Sequence, residues 1–289
     1  MILEIKNDII ELKVDTLGGQ IMSLVKDKVE YMWQRDPAIW RQSAPNLFPF
    51  IGRSFNGTYS HKGKAYEMTP HGFLSRMEFT VLENKGDELV LEFTSNKDTL
   101  AIYPFEFKYA LSFKLDRNRV IQSHRVINLG NETMYFGMGG HPGFNVPLDE
   151  GLDFSDYYLE FSDICYPMEL ELTKNLQMSG NAHDYKILNN KIIPLDHHLF
   201  DFDSITLKNM AREVTLRSDK GKRSVKLTYP GMGFLGIWHK PRCEAPYICI
   251  EPWVSLPGRE LCEEIGAKSD FIALEGNREY INTWSIEVE

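Results

Sequence analysis

The residues of this sequence that could perform acid–base chemistry stand in glycine- and proline-rich stretches. His141 lies between a glycine and a proline in MGGHPGFNVP (138–147), where the backbone is restricted on both sides. His71 follows a proline and precedes a glycine in TPHGFLSR (69–76). Because an imidazole titrates near neutral pH, a histidine held in a fixed position can deliver or accept a proton. Both histidines are therefore candidate proton-transfer groups.

A glutamate and an arginine stand at the ends of two largely apolar segments. Glu251 follows the apolar run 247–250 in APYICIEPW (245–253), a pattern that predicts a strand buried on both faces. If Glu251 is enclosed as well, burial raises the pKa of its carboxyl toward the range useful for a general base. Arg53 ends APNLFPFIGR (44–53), whose two prolines predict a shaped loop. Its planar guanidinium could hold an oxygen of a ligand.

Each of these four residues also has a purely structural interpretation. A lone histidine beside a glycine is more often a turn residue than a proton donor, and most arginines are solvated surface residues. Glu251 would be solvated too if it lay just past the end of its strand. The functional interpretation is favoured because two histidines occur in similar loop-like settings, and functional residues on β scaffolds usually lie on loops.

The elements that must position these residues are strands. Alternating apolar runs flank three turn sequences, which predicts hairpins about residues 7–8, 85–87 and 219–221. A helical pattern is confined to 258–270 and to a single turn at 36–40. Many strands separated by regular turn signals predict an all-β sandwich or barrel. Because no linker or repeat divides the chain, we expect one domain over residues 1–289.

Composition excludes several classes of function. The chain has 289 residues and a formal net charge of −9 at pH 7, which argues against binding to nucleic acids or anionic membranes. It shows neither a signal-peptide pattern nor a long apolar run. Its four cysteines form no CxxC pair, so reduced thiols in a cytoplasmic protein are expected. Metal-binding, phosphate-binding and nucleophile-elbow motifs are absent from the sequence, so neither a metal nor a cofactor is expected.

Taken together, four motifs in order resemble the aldose 1-epimerase (galactose mutarotase) superfamily, and most closely its LacX-like bacterial branch. The motifs are PNLFP with IGR, then HGF, then GHP with GFN, then EPW, and they extend from residue 44 to residue 253. The resemblance implies a large antiparallel β-sandwich of the supersandwich type, with the sugar site on the concave face of one sheet.

The resemblance also implies a role for each matching residue. His141 matches the general acid of the family and Glu251 its general base, while Arg53 and His71 match positions that orient the substrate near its ring oxygen. The family also has a sugar-binding aspartate before a strand. In LFDFDSITL that residue is Asp203, with Asp201 as the rival, and Asp203 is preferred because the apolar strand pattern follows it sooner.

The expected activity is the interconversion of α and β anomers of an aldose. This reaction removes a proton from the C1 hydroxyl, delivers one to the ring oxygen, and closes the ring again after rotation about C1–C2. The expected partner is a sugar such as galactose or glucose; a phosphorylated sugar and a homodimer remain open. Two other functions also remain open, a non-catalytic sugar-binding or sensor protein and a glycoside hydrolase or lyase. Hydrolysis usually needs two carboxylates, and the motifs supply one.

Overall fold

The computed structural model describes residues 1–289, of which 47% lie in strands and 8% in helices. The strands of the first half are β1 (Ile2–Lys6), β2 (Ile10–Asp15), β3 (Gln20–Lys26), β4 (Val29–Glu30), β5 (Asn46–Leu47), β6 (Thr58–His61), β7 (Lys64–Glu67), β8 (Thr80–Lys85), β9 (Glu88–Thr94), β10 (Phe107–Asp116), β11 (Arg119–Asn128), β12 (Met134–Phe136), β13 (Gly139–Gly140) and β14 (Gly143–Asn145). Those of the second half are β15 (Tyr158–Phe161), β16 (Met168–Leu172), β17 (Met178–Asp184), β18 (Ile192–Pro194), β19 (Ile205–Lys208), β20 (Glu213–Arg217), β21 (Ser224–Thr228), β22 (Phe234–Trp238), β23 (Tyr247–Trp253), β24 (Ile272–Leu274) and β25 (Glu279–Val288).

The three hairpins predicted from turn residues are confirmed as the pairs β1–β2, β8–β9 and β20–β21. The helix predicted over 258–270 is wrong, because only the 3₁₀ turn Ile265–Ala267 forms there. The single turn expected at 36–40 is present, since the Trp40 amide donates to the Asp36 carbonyl at 2.8 Å.

Helices are few and short. The one α-helix, α1 (Lys97–Ile102), begins at Asn96, whose side chain accepts hydrogen bonds from the amides of the first turn in a capping box. The remaining helical segments are 3₁₀ turns at Phe55–Gly57, Leu74–Arg76, Phe154–Asp156, His197–Phe200 and Ile265–Ala267. None of these helices has the length and apolar character needed to cross a bilayer.

Two large antiparallel sheets form the sandwich. The nine-stranded sheet has the order β18-β15-β20-β21-β25-β11-β10-β9-β8. The eight-stranded sheet has the order β17-β16-β19-β22-β23-β13-β5, with β14 also paired to β23. Buried and half-buried residues alternate along β10 and β11, as expected of strands with one face on a core, whereas every residue of β23 is buried. A small sheet, β1-β2-β3-β4, adds to this framework.

Apolar packing joins the two sheets, and a buried polar network crosses between them. The main core cluster contains 61 buried residues, from Ile5 to Val288. Within it, the Gln122 amide on β11 donates to the Asn46 side chain on β5 at 2.8 Å. The indole of Trp284 donates to His124 at 2.9 Å. Since buried polar groups are costly unless they are paired, this network fixes how the two sheets are aligned.

Candidate active site

Glu251 lies inside strand β23, near the middle of the eight-stranded sheet. The strand runs from Tyr247 to Trp253, and the Glu251 residue is only 2% exposed. The sequence-based alternative that Glu251 is solvated past the strand end is therefore wrong. Glu251 pairs with Gly236 on β22, and Cys249 and Trp253 share its face of the sheet because side chains alternate along a strand.

His141 occupies the interruption between two short strands that both pair with β23. β13 ends at Gly140 and β14 begins at Gly143, so the ladder beside Glu251 is broken at His141 and Pro142. The Pro142 carbonyl still accepts a hydrogen bond from the Ile250 amide at 3.2 Å. The glycine–histidine–proline sequence thus places the imidazole directly beside the neighbouring strand, where it is 8% exposed.

His141 and Glu251 are in direct contact. His141 Nε2 lies 3.3 Å from Glu251 Oε1. Burial lowers the pKa of His141 well below its usual value, and the neighbouring His71 lowers it further. Burial raises the pKa of Glu251 well above its usual value, and the nearby Asp203 charge adds to the effect. Both shifts disfavour charge, so the arrangement favours a neutral pair that holds one proton on the carboxyl.

Two loops that are hydrogen-bonded to each other hold Arg53 and His71. The His71 amide donates to the Gly52 carbonyl at 2.8 Å, and the Gly52 amide donates to His71 Nδ1 at 3.3 Å. Because Nδ1 accepts this bond, the ring proton of neutral His71 is on Nε2. Burial and the adjacent Arg53 lower the pKa of His71 to about 4, so the ring is neutral at pH 7. His71 can therefore donate a hydrogen bond from Nε2 to a ligand, and its ring lies 5.4 Å from that of His141.

Asp203 lies in the same wall and has a strained backbone. Its φ is 94°, which is rare for a residue other than glycine and is a common feature of functional sites. Its carboxylate accepts a hydrogen bond from the Ser204 amide at 2.9 Å. Burial raises the pKa of Asp203 above its usual value, against the opposing effects of that bond and of Arg53. Its rival Asp201 instead contacts His198 at 3.0 Å and lines a different cavity.

These residues surround one cavity. Its volume is about 300 Å³, at the lower end of the range of small-molecule sites. All five candidate residues from the sequence line it: Arg53, His71, His141, Asp203 and Glu251. The structure therefore brings together residues that lie far apart in the sequence. It does not by itself assign their roles.

Aromatic rings complete the wall. Three tryptophans, Trp40, Trp238 and Trp253, line the cavity, whereas Trp33, Phe73 and Phe144 do not. Trp40 stacks on the His141 ring with centroids 5.1 Å apart. Such flat faces can pack against the apolar side of a sugar ring.

Trp253 lies against the sheet because two neighbouring residues have no side chain. A Cβ atom on Gly139 would lie 2.5 Å from its ring, and one on Gly236 would lie 2.4 Å from it. Both distances are far shorter than van der Waals contact, so these two positions require glycine. Sequence reasoning did not identify them, because the close approach is created only by the pairing of β13, β22 and β23.

Comparison with known proteins places this geometry in a family. The family model described as aldose 1-epimerase matches residues 1–279. The chain belongs to the aldose 1-epimerase family. The LacX protein (chromosomal) of Lactococcus lactis subsp. lactis is 33% identical over 267 residues, which cover 89% of this chain and 88% of LacX. The resemblance inferred from the four motifs is thus confirmed.

Solved structures in this family share the whole fold. A galactose mutarotase related enzyme from Lactobacillus acidophilus has 30% sequence identity and a TM-score of 0.95, covering 100% of this chain and 97% of that one. A galactose mutarotase-like protein from Lactobacillus casei ATCC 334 has 27% identity and a TM-score of 0.95, with both chains fully covered. Aldose 1-epimerase family membership supports an isomerase with a mutarotase-type function and a sugar substrate.

Proposed function

We propose that this aldose 1-epimerase family protein interconverts the α and β anomers of a free aldohexose such as galactose or glucose, with Glu251 as the base and His141 as the acid. The observation that carries the proposal is the 3.3 Å contact between His141 Nε2 and Glu251 Oε1 in the wall of the cavity. The hydroxyl oxygen O1 and the ring oxygen O5 of an aldose are both bonded to C1. Two proton-transfer groups that lie side by side can therefore serve both oxygens.

Ring opening moves two protons in opposite directions. The carboxylate of Glu251 takes the proton from O1 while the imidazolium of His141 gives its Nε2 proton to O5, and the C1–O5 bond breaks. Both side chains are then neutral and C1 is an aldehyde carbon. After rotation about C1–C2, each transfer reverses as the ring closes on the opposite face. No net proton is consumed.

Burial assists the opening step. In the resting neutral pair the Glu251 carboxyl holds the proton, and its transfer to His141 Nε2 across the 3.3 Å contact gives the reactive carboxylate and imidazolium. Ring opening returns the pair to carboxylic acid and imidazole, so charge disappears from a site with little access to water. Burial disfavours the charged form of each group, as the raised pKa of Glu251 and the lowered pKa of His141 indicate. The same burial thus lowers the free energy of the ring-opened state relative to the charged, closed-ring form from which it arises.

The other three residues fit the binding of a sugar. Neutral His71 can donate from Nε2 to a sugar oxygen, and the Arg53 side chain adds a positive charge on the same side of the cavity. The Asp203 carboxylate can accept hydrogen bonds from sugar hydroxyls. Hydrogen-bond donors placed where negative charge develops contribute about 3–4 kcal/mol in comparable enzymes.

A phosphorylated hexose is the second candidate substrate, because Arg53 and Arg76 both line the cavity. Arg76 is already engaged, since its guanidinium donates to the Thr69 hydroxyl at 2.5 Å and to the Gly72 carbonyl at 2.9 Å. Arg35 and Arg41, which also flank the motif loops in the sequence, lie outside the cavity wall. The free sugar is therefore the preferred substrate.

Polarimetry on freshly dissolved α-galactose, α-glucose and their 6-phosphates tests the proposal. We expect faster mutarotation with a free sugar, and a loss of about 10²–10⁴-fold in Glu251→Gln and in His141→Asn. The exposed pair His183 and Glu169, with a similar contact of 3.1 Å, offers the matched controls His183→Asn and Glu169→Gln. Sugar binding in calorimetry without anomer exchange would instead identify a sensor protein.

We also propose that residues 1–289 form one domain, in keeping with the core cluster that extends from Ile5 to Val288. A cytoplasmic location is proposed as well. It agrees with the four cysteines, all of which carry free thiols.

A further inference from the structure

Cys249 is a buried thiol beside the catalytic pair that the proposed reaction does not use. It lies on β23 two residues before Glu251, so both side chains are on the same face of the sheet. The residue is fully buried, and it packs with the small cluster of Trp33, Ala245 and Tyr247. Its neighbours in the sheet are Gly143 on one side and Trp238 on the other.

Three donor atoms converge at this point. One ring nitrogen of His141, the sulfur of Cys249 and a carboxylate oxygen of Glu251 all lie within 4.8 Å of one another. Two atoms of these groups, His141 Nδ1 and Glu251 Oε2, are buried and have no hydrogen-bond partner. Both residues are more than nine-tenths buried. Buried polar atoms without partners are rare in native proteins and suggest that a ligand satisfies them.

The donor set suits a thiophilic divalent cation. Zn²⁺ prefers cysteine, histidine and carboxylate ligands in tetrahedral geometry, with Zn–S about 2.3 Å and Zn–N or Zn–O about 2.0–2.2 Å. Those bond lengths place two ligands of one ion roughly 3.3–3.7 Å apart. The His141 to Glu251 distance is already 3.3 Å. The Cys249 sulfur lies within 4.8 Å of the other two ligand atoms, so it would have to approach them by up to about 1 Å to complete the set.

Charge balance points the same way. One thiolate and one carboxylate carry two negative charges, and a neutral imidazole carries none. A bound divalent cation therefore gives a site with no net charge, which is the favourable condition in a buried environment. Mg²⁺ and Ca²⁺ prefer oxygen ligands in larger number, so they fit this set poorly.

We propose that His141, Cys249 and Glu251 form an inhibitory site for Zn²⁺ and the related ion Cd²⁺, in which metal and sugar exclude each other. On binding, the thiol proton of Cys249 and the carboxyl proton of Glu251 both leave to solvent, and metal–sulfur and metal–oxygen bonds form without any change of oxidation state. The metal occupies a nitrogen of His141 and an oxygen of Glu251, so this pair can no longer exchange protons with the sugar. Because His141 and Glu251 line the cavity, water from the cavity could supply the fourth ligand.

Direct metal binding tests the site independently of the enzymatic activity. Cd²⁺ titration is followed by the ultraviolet charge-transfer band of cadmium thiolates. We expect one equivalent of Cd²⁺ whose affinity falls at least about tenfold in Cys249→Ala and in His141→Asn. The exposed Cys262 supplies the control, because Cys262→Ser should retain that equivalent. Cys249→Ser, with near-native volume, serves as a second variant if Cys249→Ala fails to fold.

Competition and inhibition complete the test. Galactose should raise the apparent dissociation constant for Cd²⁺ in proportion to its concentration, and Zn²⁺ should slow mutarotation until a chelator is added. The inhibitory part rests on the proposed function. A Cd²⁺ band that depends on Cys249 in a protein without mutarotase activity would overturn the proposed function and keep the metal site. Normal mutarotation with no such band, or a band unchanged in Cys249→Ala and Cys249→Ser, would overturn the metal site.

Discussion

Replacing Glu251 with glutamine should remove activity and stabilise the fold at the same time. The carboxyl is 2% exposed, its Oε2 has no hydrogen-bond partner, and its Oε1 contacts the imidazole of His141. Glutamine has nearly the same shape and carries no charge, and its amide can donate to the neutral imidazole. The substitution therefore removes the catalytic base together with a costly buried acid.

The gain in stability is set by the cost of a buried polar group without a partner, about 1–3 kcal/mol. Since each kcal/mol shifts the Tm of a chain of 150–250 residues by about 2–4 °C, an increase of several degrees is expected at pH 8. The gain depends on pH, because the folded-state pKa of Glu251 is raised above its usual value of 4.5. Its contribution to wild-type stability is full below pH 4.5 and is lost as pH rises through the folded pKa.

Thermal unfolding of wild type and Glu251→Gln at pH 5 and pH 8 measures this difference, and polarimetry follows the activity. The difference in Tm should be small at pH 5 and larger at pH 8, while the mutarotation rate falls about 10²–10⁴-fold. Glu67→Gln, at an exposed position of β7, should change neither the Tm nor the rate. A Glu251→Gln protein less stable than wild type at pH 8 would show that the ionised carboxylate stabilises the fold, and the reasoning from burial would then be refuted.

Three further outcomes are expected. Arg53→Ala should raise KM for the sugar about tenfold or more in steady-state assays. Its effect on Tm should be smaller, because the side chain is exposed at the cavity and has no ion-pair partner. An unchanged KM would show that Arg53 is not part of the binding site. Gly236→Ala should lower the free energy of unfolding in urea by about 1–3 kcal/mol and also lower kcat, because its Cβ would collide with Trp253. Gly233→Ala, at a position with open space, should lower that free energy by less than about 0.5 kcal/mol, and equal losses in the two variants would contradict the close packing. Burial lowers the pKa of His124 to about 3 from its usual 6.5. The contribution of His124 to stability is therefore present above pH 6.5 and falls by about 1.4 kcal/mol per pH unit between pH 6.5 and 3. His124→Gln should make the pH dependence of the unfolding free energy shallower by one proton in that window, and an unchanged slope would refute the assignment.

The sequence predicts local structure best where turn chemistry and alternation agree. The hairpins about residues 7–8, 85–87 and 219–221 are formed by contacts between neighbouring segments, so their signals are complete within a few residues. The helix predicted over 258–270 fails because its apolar residues do not form one buried face. Leu261 is 51% exposed, whereas Ile265 is buried. Helix α1 was missed although Asn96 and Thr99 form a capping box at its start.

The candidate site was predictable as a set of residues but not as an arrangement. Glu251 and His141 could be singled out by their neighbours in the sequence, since a continuous apolar run and a glycine–proline setting are visible there. Their direct contact could not, because it depends on the break between β13 and β14 and on how both pair with β23. The same pairing brings Cys249 to the catalytic pair, and no local signal marks that cysteine.

The two glycines beside Trp253 have a consequence for altering the range of substrates. Gly139 and Gly236 already lack side chains and lie against the Trp253 indole, which lines the cavity. Neither glycine can be truncated further to deepen the cavity, and any side chain added at these positions would fill space that the indole occupies. Engineering a wider acceptance of sugars must therefore begin at the cavity wall contributed by Leu172, Leu176 and Pro257.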